Sequence, residues 1–344
     1  MKKEFQMLIH FGSNWGGREK TEMLFDYDVW CNIVDKCALY KFDTIVLDLL
    51  EGLNYTGYPE LWVDGGWSHD KLKEEVKRVK ALGLKMIPKL NFSAAHDIWL
   101  REFGRSKIST PEYYKMCKDI IEEVYEIFDA PEYIHVGLDE EFKLLANDET
   151  HYRKDEQLFH DWKYIFDCVR ATGAKIYMWE STCKNYHYYH SDDWQKVIDE
   201  DIVFGAGQYY EFEKSKWTRI ADQPKDVQKY YWGGEFEKRD QYAEYVEHYG
   251  NTKIEYVEQD PDVKIFMEFL EYLVERKHKI FINTTNLFIK TNDRSAVEYY
   301  SKCEYNDSIL GHIGCPWIIT TKENEAQILE EIELLGKAKQ EFYE

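Results

Sequence analysis

The chain has no run of eighteen apolar residues, so no membrane-spanning helix is expected and no membrane partner with it. Its seven cysteines (Cys31, Cys37, Cys117, Cys168, Cys183, Cys303 and Cys315) form no Cys-x-x-Cys pair, which removes the grounds for a zinc ribbon or a disulfide framework and leaves reduced thiols. No Gly-x-Gly-x-x-Gly follows the first apolar segment and no P-loop occurs, so dinucleotide- and nucleotide-binding folds lose support, and no cofactor is expected. Basic residues are in short supply: 44 Lys and Arg against 65 Asp and Glu give a net charge of −21, which argues against a nucleic-acid partner. Met1-Lys2-Lys3-Glu4 leads straight into a short strand-like segment instead of a long apolar stretch, so a cytoplasmic location is the expectation. No Pro/Ser-rich linker or break in composition divides residues 1–344, and one domain is expected.

What is present is a strand-then-helix alternation that continues to the end, the pattern of a parallel sheet. Strands are expected at 7–11, 44–49, 85–90, 133–137, 175–179, 202–205, 279–283 and 309–315. Helices are expected near 29–39, from Ser68 to Gly83, after Thr110-Pro111, and at 158–169, 265–273 and 323–338. The long Tyr-, Trp- and charge-rich excursion after the sixth strand is expected to hold extra helix and an active-site loop. Eight such units in order predict a single (β/α)8 barrel with extended βα loops; a barrel of roughly 250 residues plus insertions fits 344.

In that architecture chemistry sits at the C-terminal ends of the strands. Strand one leads to His10, Asn14 and Trp15; strand two to Asp48 and Glu51; strand three to Asn91, His96 and Asp97. Strand four gives His135, Asp139 and Glu140, and strand five gives Trp179 and Glu180. Strand six leads to Gln208, Tyr209 and Tyr210, strand seven to Asn283 and Asn286, and strand eight to His312 and Trp317. Acids and aromatics with almost no positive charge suit a neutral, hydroxyl-rich ligand, because a sugar ring has an apolar face and a polar rim. Carbohydrate is the expected partner, with a homodimer left open. The sharpest feature is His135-Val136-Gly137-Leu138-Asp139-Glu140, two adjacent carboxylates at a strand end, where glycosidic cleavage needs an acid and a second stabilising group.

This segment resembles the His-x-Gly-x-Asp-Glu signature of glycoside hydrolase family 20, the β-N-acetylhexosaminidases. Residues 84–96 (LKMIPKLNFSAAH) are similar to that family's third strand, Ile-Pro-Glu-Ile-Asp-x-Pro-Gly-His. Residues 310–317 (LGHIGCPW) resemble its eighth-strand Gly-…-Leu-Trp segment, and Met178-Trp179-Glu180 its fifth-strand Trp-acid pair. The resemblance implies a (β/α)8 barrel, Glu140 as general acid/base, and Asp139 orienting a 2-acetamido group whose carbonyl oxygen is the internal nucleophile. It also implies His135 behind Glu140, with Trp179 and Trp317 walling the sugar. A substrate that supplies its own nucleophile explains the missing carboxylate at the end of strand seven.

Departures from the pattern point to a distant relative with altered specificity. The family's first-strand Arg is replaced around His10 and Asn14, its third-strand Asp is Asn91, and the Glu after the eighth-strand Trp is Ile318. Its strand-seven Tyr-x-Asp is not visible in 283–288, where Tyr209 or Tyr210 is the substitute to consider. Two alternatives remain open: a glycosidase of other specificity using Glu140 with Asp48, Glu51 or Glu180, and a non-catalytic carbohydrate-binding barrel. His10, His96, His135 and His312 could meet Asp48 or Asp139 at a metal, but strand one lacks a His-x-His pair and strands five and six have no His, so no metal is expected. The Tyr186-His187-Tyr188-Tyr189-His190 cluster reads as a loop packed on the barrel mouth.

Overall fold

The computed structural model describes residues 2–14, 20–94, 98–141, 153, 155–185, 191–207, 261–287 and 290–344. Eight parallel strands close into a barrel in sequence order. They are β1 (Glu4–His10), β2 (Thr44–Asp48), β3 (Lys85–Lys89), β4 (Tyr133–His135), β5 (Lys175–Trp179), β6 (Val203–Gly207), β7 (Lys279–Thr284) and β8 (Ile309–Gly314). The helices in the described residues are α1 (Tyr27–Leu39), α2 (His69–Ala81), α3 (Pro111–Ile127), α4 (Asp155–Thr172), α5 (Ser181–Asn185), α6 (Asp192–Val197), α7 (Pro261–Glu275), α8 (Asn292–Lys302) and α9 (Glu325–Tyr343).

Local chemistry accounts for the boundaries. Ser68 Oγ accepts the Lys71 N–H and Thr110 Oγ1 the Tyr113 N–H, so each caps its helix as its sequence position predicts. Gly83, at φ +84°, ends α2. Two departures are instructive. β1 begins at Glu4, before the apolar residues, because Glu4 and Phe5 already pair with Gly311 and His312 of β8. Helix α8 does not announce itself in the sequence, since Asn292-Asp293-Arg294-Ser295 is polar, yet Asn292, Asp293 and Ser295 are buried.

Side chains alternate across a strand, so every second residue faces the barrel axis. Leu8, Val46, Ile87, Tyr133, Tyr177, Val203, Phe281 and Ile313, one from each strand, form a single apolar cluster inside the ring. The alternate residues face outward and join the helices in the larger core, among them Met7, Ile9, Ile45, Leu47, Ile134, Ile176 and Ile282. The inner layer seals the barrel from below, and whatever lies two residues further along each strand becomes the floor of the mouth.

Candidate active site

Stepping two residues from each member of the apolar layer gives His10, Asp48, Lys89, His135, Trp179, Gly205, Asn283 and Cys315. Strand register places the first four side by side: His10 is opposite Asp48, Asp48 opposite Lys89, and Lys89 opposite His135. The polar floor of the mouth is thus written in the period-two pattern of the strands.

His10 Nδ1 lies 2.9 Å from Asp48 Oδ2, and Lys89 Nζ lies 2.9 Å from the same oxygen, all three side chains being buried. Burial alone lifts the Asp48 carboxyl, but the Lys89 charge and the His10 hydrogen bond outweigh it and hold the group below the usual carboxylate range. Lys89 is not among the residues the sequence singles out, and its buried charge corrects the expectation of a mouth with almost no positive charge. Its signal was the matching parity with Ile87 on a strand whose neighbour carries Asp48. Burial, reinforced by the Lys89 charge, pushes His135 well below its ordinary range, so the ring is neutral. Its Nδ1 accepts the Gly137 N–H at 3.0 Å, which assigns the ring proton to Nε2. The same ring packs 4.2 Å from both Tyr177 and Trp179, measured between centroids.

Beyond β4 the backbone turns through the left-handed region, with φ of +69° at Gly137, +64° at Leu138 and +51° at Glu140. Such angles cost on the order of 1–3 kcal/mol each for residues with a side chain and persist only where surroundings enforce them. Asn91 is the enforcer. Its Oδ1 accepts the N–H groups of Ser93 (3.1 Å) and Leu138 (3.0 Å), and its Nδ2 donates to Asp139 Oδ1 at 2.6 Å. The Glu140 N–H is tied to Ser181 Oγ at 3.1 Å and the Glu141 N–H to Thr182 Oγ1 at 3.0 Å. Glu141 is buried against Arg153, which also reaches Asp161 at 2.9 Å and the Phe92 carbonyl at 3.3 Å. This network anchors the segment from beneath, while Asp139 and Glu140 are only half-buried.

The aromatic wall runs from His135 to Trp179, from Trp179 to Trp317 (centroids 5.8 Å apart) and from Trp317 to His10 (6.0 Å). Trp317 itself sits at φ +50°. Among the described residues, Asp48 Oδ1, His135 Nε2, Trp179 Nε1 and Asn283 Oδ1 are buried without a hydrogen-bond partner, giving two donors and two acceptors. Such a mixture suits hydroxyl groups, each of which both gives and receives.

Other sequence candidates are placed differently. Glu51 is buried and spends its carboxylate on Ser13 (N–H 2.6 Å, Oγ 3.0 Å) and the Asn14 N–H (3.1 Å). The Asn14 side chain in turn brackets the backbone of Lys20, so both residues brace the β1 loop. Glu180 is buried at the exit of β5, its N–H joined to the Gly205 carbonyl at 3.2 Å. His312 is absent from the mouth: Ile313 faces inward, so His312 faces outward and stacks on Phe5 at 5.3 Å. Among the described residues no group of three or more His, Cys, Asp or Glu side chains is arranged to hold a metal. Trp15, His96, Asp97, Gln208, Tyr209, Tyr210 and the 186–190 cluster lie outside the described residues. A surface cavity of about 540 Å³ between α7 and α8, lined by Met267, Tyr299, Lys302 and Tyr305, shares no residue with the mouth.

No family model matches the chain, and no curated protein sequence does. Solved structures do. The β-N-acetylhexosaminidase of Bacteroides fragilis is 11% identical and aligns over 99% of this chain and 70% of its own, with a TM-score of 0.57. A GH20 catalytic module of the pneumococcal exo-β-D-N-acetylglucosaminidase is 14% identical over 99% of this chain and 85% of its own, with a TM-score of 0.58. A mutant Streptomyces plicatus β-hexosaminidase, solved with its product GlcNAc, is 11% identical over 96% of this chain with a TM-score of 0.57, and this chain spans only 63% of it. Although sequence identity has almost vanished, the chain has the (β/α)8 barrel fold seen in the β-N-acetylhexosaminidases of glycoside hydrolase family 20.

Proposed function

We propose that the chain is a glycoside hydrolase that releases a terminal sugar, a β-linked N-acetylhexosamine, by a retaining mechanism in which the substrate's own acetamido group is the nucleophile. Glu140, as a carboxylic acid, gives its proton to the glycosidic oxygen while the C1–O bond breaks. The acetamido carbonyl oxygen bonds to C1 on the opposite face, and Asp139 accepts the hydrogen bond of the amide N–H and stabilises its growing positive charge. Glu140, now a carboxylate, takes a proton from water as that water attacks C1, and the acetamido group is restored. His135 lies behind the pair as a neutral, positioned ring, and Trp179 and Trp317 wall the sugar.

The observation that supports this reading is the fixed Asp139: Asn91, two residues beyond Lys89 of the mouth floor, donates to one of its oxygens, next to a half-buried Glu140. The exit of β7, Asn283-Thr284-Thr285-Asn286, contains no carboxylate to serve as an enzymic nucleophile. The prior commitment of Glu51 to backbone amides, and of Asp48 to Lys89 and His10, weighs against either as a second catalytic carboxylate.

Aryl glycosides test it, with Glu140→Gln as control. Cleavage of the N-acetyl-β-hexosaminide, falling by about 10²–10⁴-fold in the variant, is expected. Turnover confined to sugars without a 2-acetamido group assigns the barrel to another glycosidase class, and sugar binding without turnover assigns it to carbohydrate recognition.

A further inference from the structure

Outside the mouth, between the barrel wall and the helices, two carboxylates are buried together: Asp293 in the first turn of α8 and Glu331 in α9, both fully inaccessible. Thr284, the last residue of β7, points toward them, since Asn283 before it faces the mouth. Asn286 follows, its N–H donating to Glu331 Oε2 at 2.6 Å. Asn292 Oδ1 accepts the Thr285 N–H at 3.0 Å and draws the same loop onto α8.

The two carboxyl groups lie within hydrogen-bonding reach of each other, and among the described residues no other donor of regular geometry meets either oxygen of Asp293, Glu331 Oε1 or Thr284 Oγ1; the side chain of the neighbouring Asn286 likewise has no partner there. Thr284 and Asn286 are themselves at most 2% exposed. The Thr284 hydroxyl is near enough to help hold charge on the Asp293 carboxyl, yet makes no hydrogen bond of regular geometry with it. Glu331 Oε1 faces β8, 3.4 Å from where a Cβ on Gly314 would stand. Basic groups nearby are engaged elsewhere: Lys290 pairs with Glu330, and Arg294 with Glu341 and Glu298. Two carboxyl groups thus meet in a buried layer with no counter-charge among the described residues, and ionising both there costs several kcal/mol per ion unless something neutralises them. Burial raises both groups, Asp293 to about 7, which reports the same electrostatic deficit.

We propose that Asp293 and Glu331, with the neutral oxygens of Thr284 and Asn286, form a structural site for one hard divalent cation, Ca²⁺ in preference to Mg²⁺. All the donors are oxygens, which selects hard cations, and two carboxylates balance a double charge where Na⁺ or K⁺ leaves one uncompensated. The irregular set, drawn from a strand end, a loop and two helices, suits the adaptable coordination of Ca²⁺ better than the octahedron Mg²⁺ demands. The ion would pin the β7 exit loop to α8 and α9, immediately behind Asn283 of the mouth. This site stands independently of the glycosidase reading.

The test strips the full chain with a chelator at pH 7.5 and compares it metal-free and after reloading with each salt, excess ion being removed before elemental analysis. The expected result is one Ca²⁺ per chain by elemental analysis and a melting temperature several degrees higher with 1 mM CaCl₂ than with 1 mM MgCl₂ or 100 mM NaCl, by the stabilisation that a ligand specific to the folded state gives. Glu331→Gln should abolish both. Should that variant fail to fold, Thr284→Val, which removes one neutral ligand and keeps its shape, should weaken Ca²⁺ binding about tenfold. Melting indifferent to Ca²⁺ but rising as pH falls through 7 overturns the proposal in favour of a proton shared by the two acids. A Ca²⁺ response unchanged in either variant overturns it too.

Discussion

Asn91 donates to Asp139 Oδ1 at 2.6 Å while its own carbonyl oxygen accepts the Leu138 N–H at 3.0 Å. The amide does both, where a carboxylate accepts and cannot donate. The family resemblance has Asp at this position, so the amide is a meaningful departure: it gives Asp139 a hydrogen-bond donor where a carboxylate offers none. Asn91→Asp therefore places two carboxylates against each other and drives one to hold a proton. The kcat/KM for an aryl N-acetylhexosaminide should fall about 10–100-fold at pH 7, and the rising limb of its pH profile should move to higher pH. A variant profile superimposable on the parent refutes the assigned pairing.

Gly137 combines a φ of +69° with a crowded site, for a Cβ there would stand 2.1 Å from Asn91 Oδ1. Gly57 has a similar φ of +82° but nothing within 4 Å. Gly57→Ala should cost about 1 kcal/mol, the backbone term alone. Gly137→Ala should cost at least about 3 kcal/mol, because Asn91 must also move. Urea unfolding of the two variants separates strain from collision, and equal losses argue against the crowding.

His312 makes stability depend on pH. It stacks on Phe5, contacts Tyr300 and Tyr343, and has no partner for either ring nitrogen among the described residues. Burial, then the Lys3 charge, lowers it to about 3. The unfolded chain therefore takes up a proton at this residue below about pH 6.5 that the folded chain refuses until about pH 3. Its stability contribution is complete above pH 6.5 and declines by up to about 1.4 kcal/mol per unit as the pH falls through that window. His312→Phe should flatten the stability curve by one proton between pH 6 and 4 and raise the melting temperature there. An unchanged slope in chemical denaturation refutes the claim.

Lys89 is the counter-charge for Asp48 in the floor of the mouth. Removing one partner of a buried pair strands the other, so Lys89→Met should destabilise the fold by about 3–5 kcal/mol. Pairing it with Asp48→Asn should recover a large part of that loss, which a double-mutant cycle measures. Additive losses show that the two charges do not depend on each other.

The eight strands, and the residues that follow them at the mouth, could be read from the sequence because both obey short-range rules. Apolar runs mark the strands, and barrel geometry delivers the residues after each one to a common face. Lys89 was overlooked because lysine in a strand is ordinarily a surface residue, and only the parity shared with Ile87 turns it inward. His312 misled for the opposite reason: one step of parity separates a mouth residue from a core residue. The roles of Glu51 and Asn14 as braces depend on loop contacts that no local pattern encodes, and Arg153 meets Glu141 and Asp161 only after the chain has folded around them.

Gly205 leaves the floor of the mouth open on one side, and the Trp179 indole leans into that opening, 2.4 Å from where a Cβ would stand. The position of the Trp179 indole in the barrel mouth is therefore set by an absent methyl group. A single alanine at 205 displaces the indole, and under the proposed glycosidase reading it resizes the space left for the sugar.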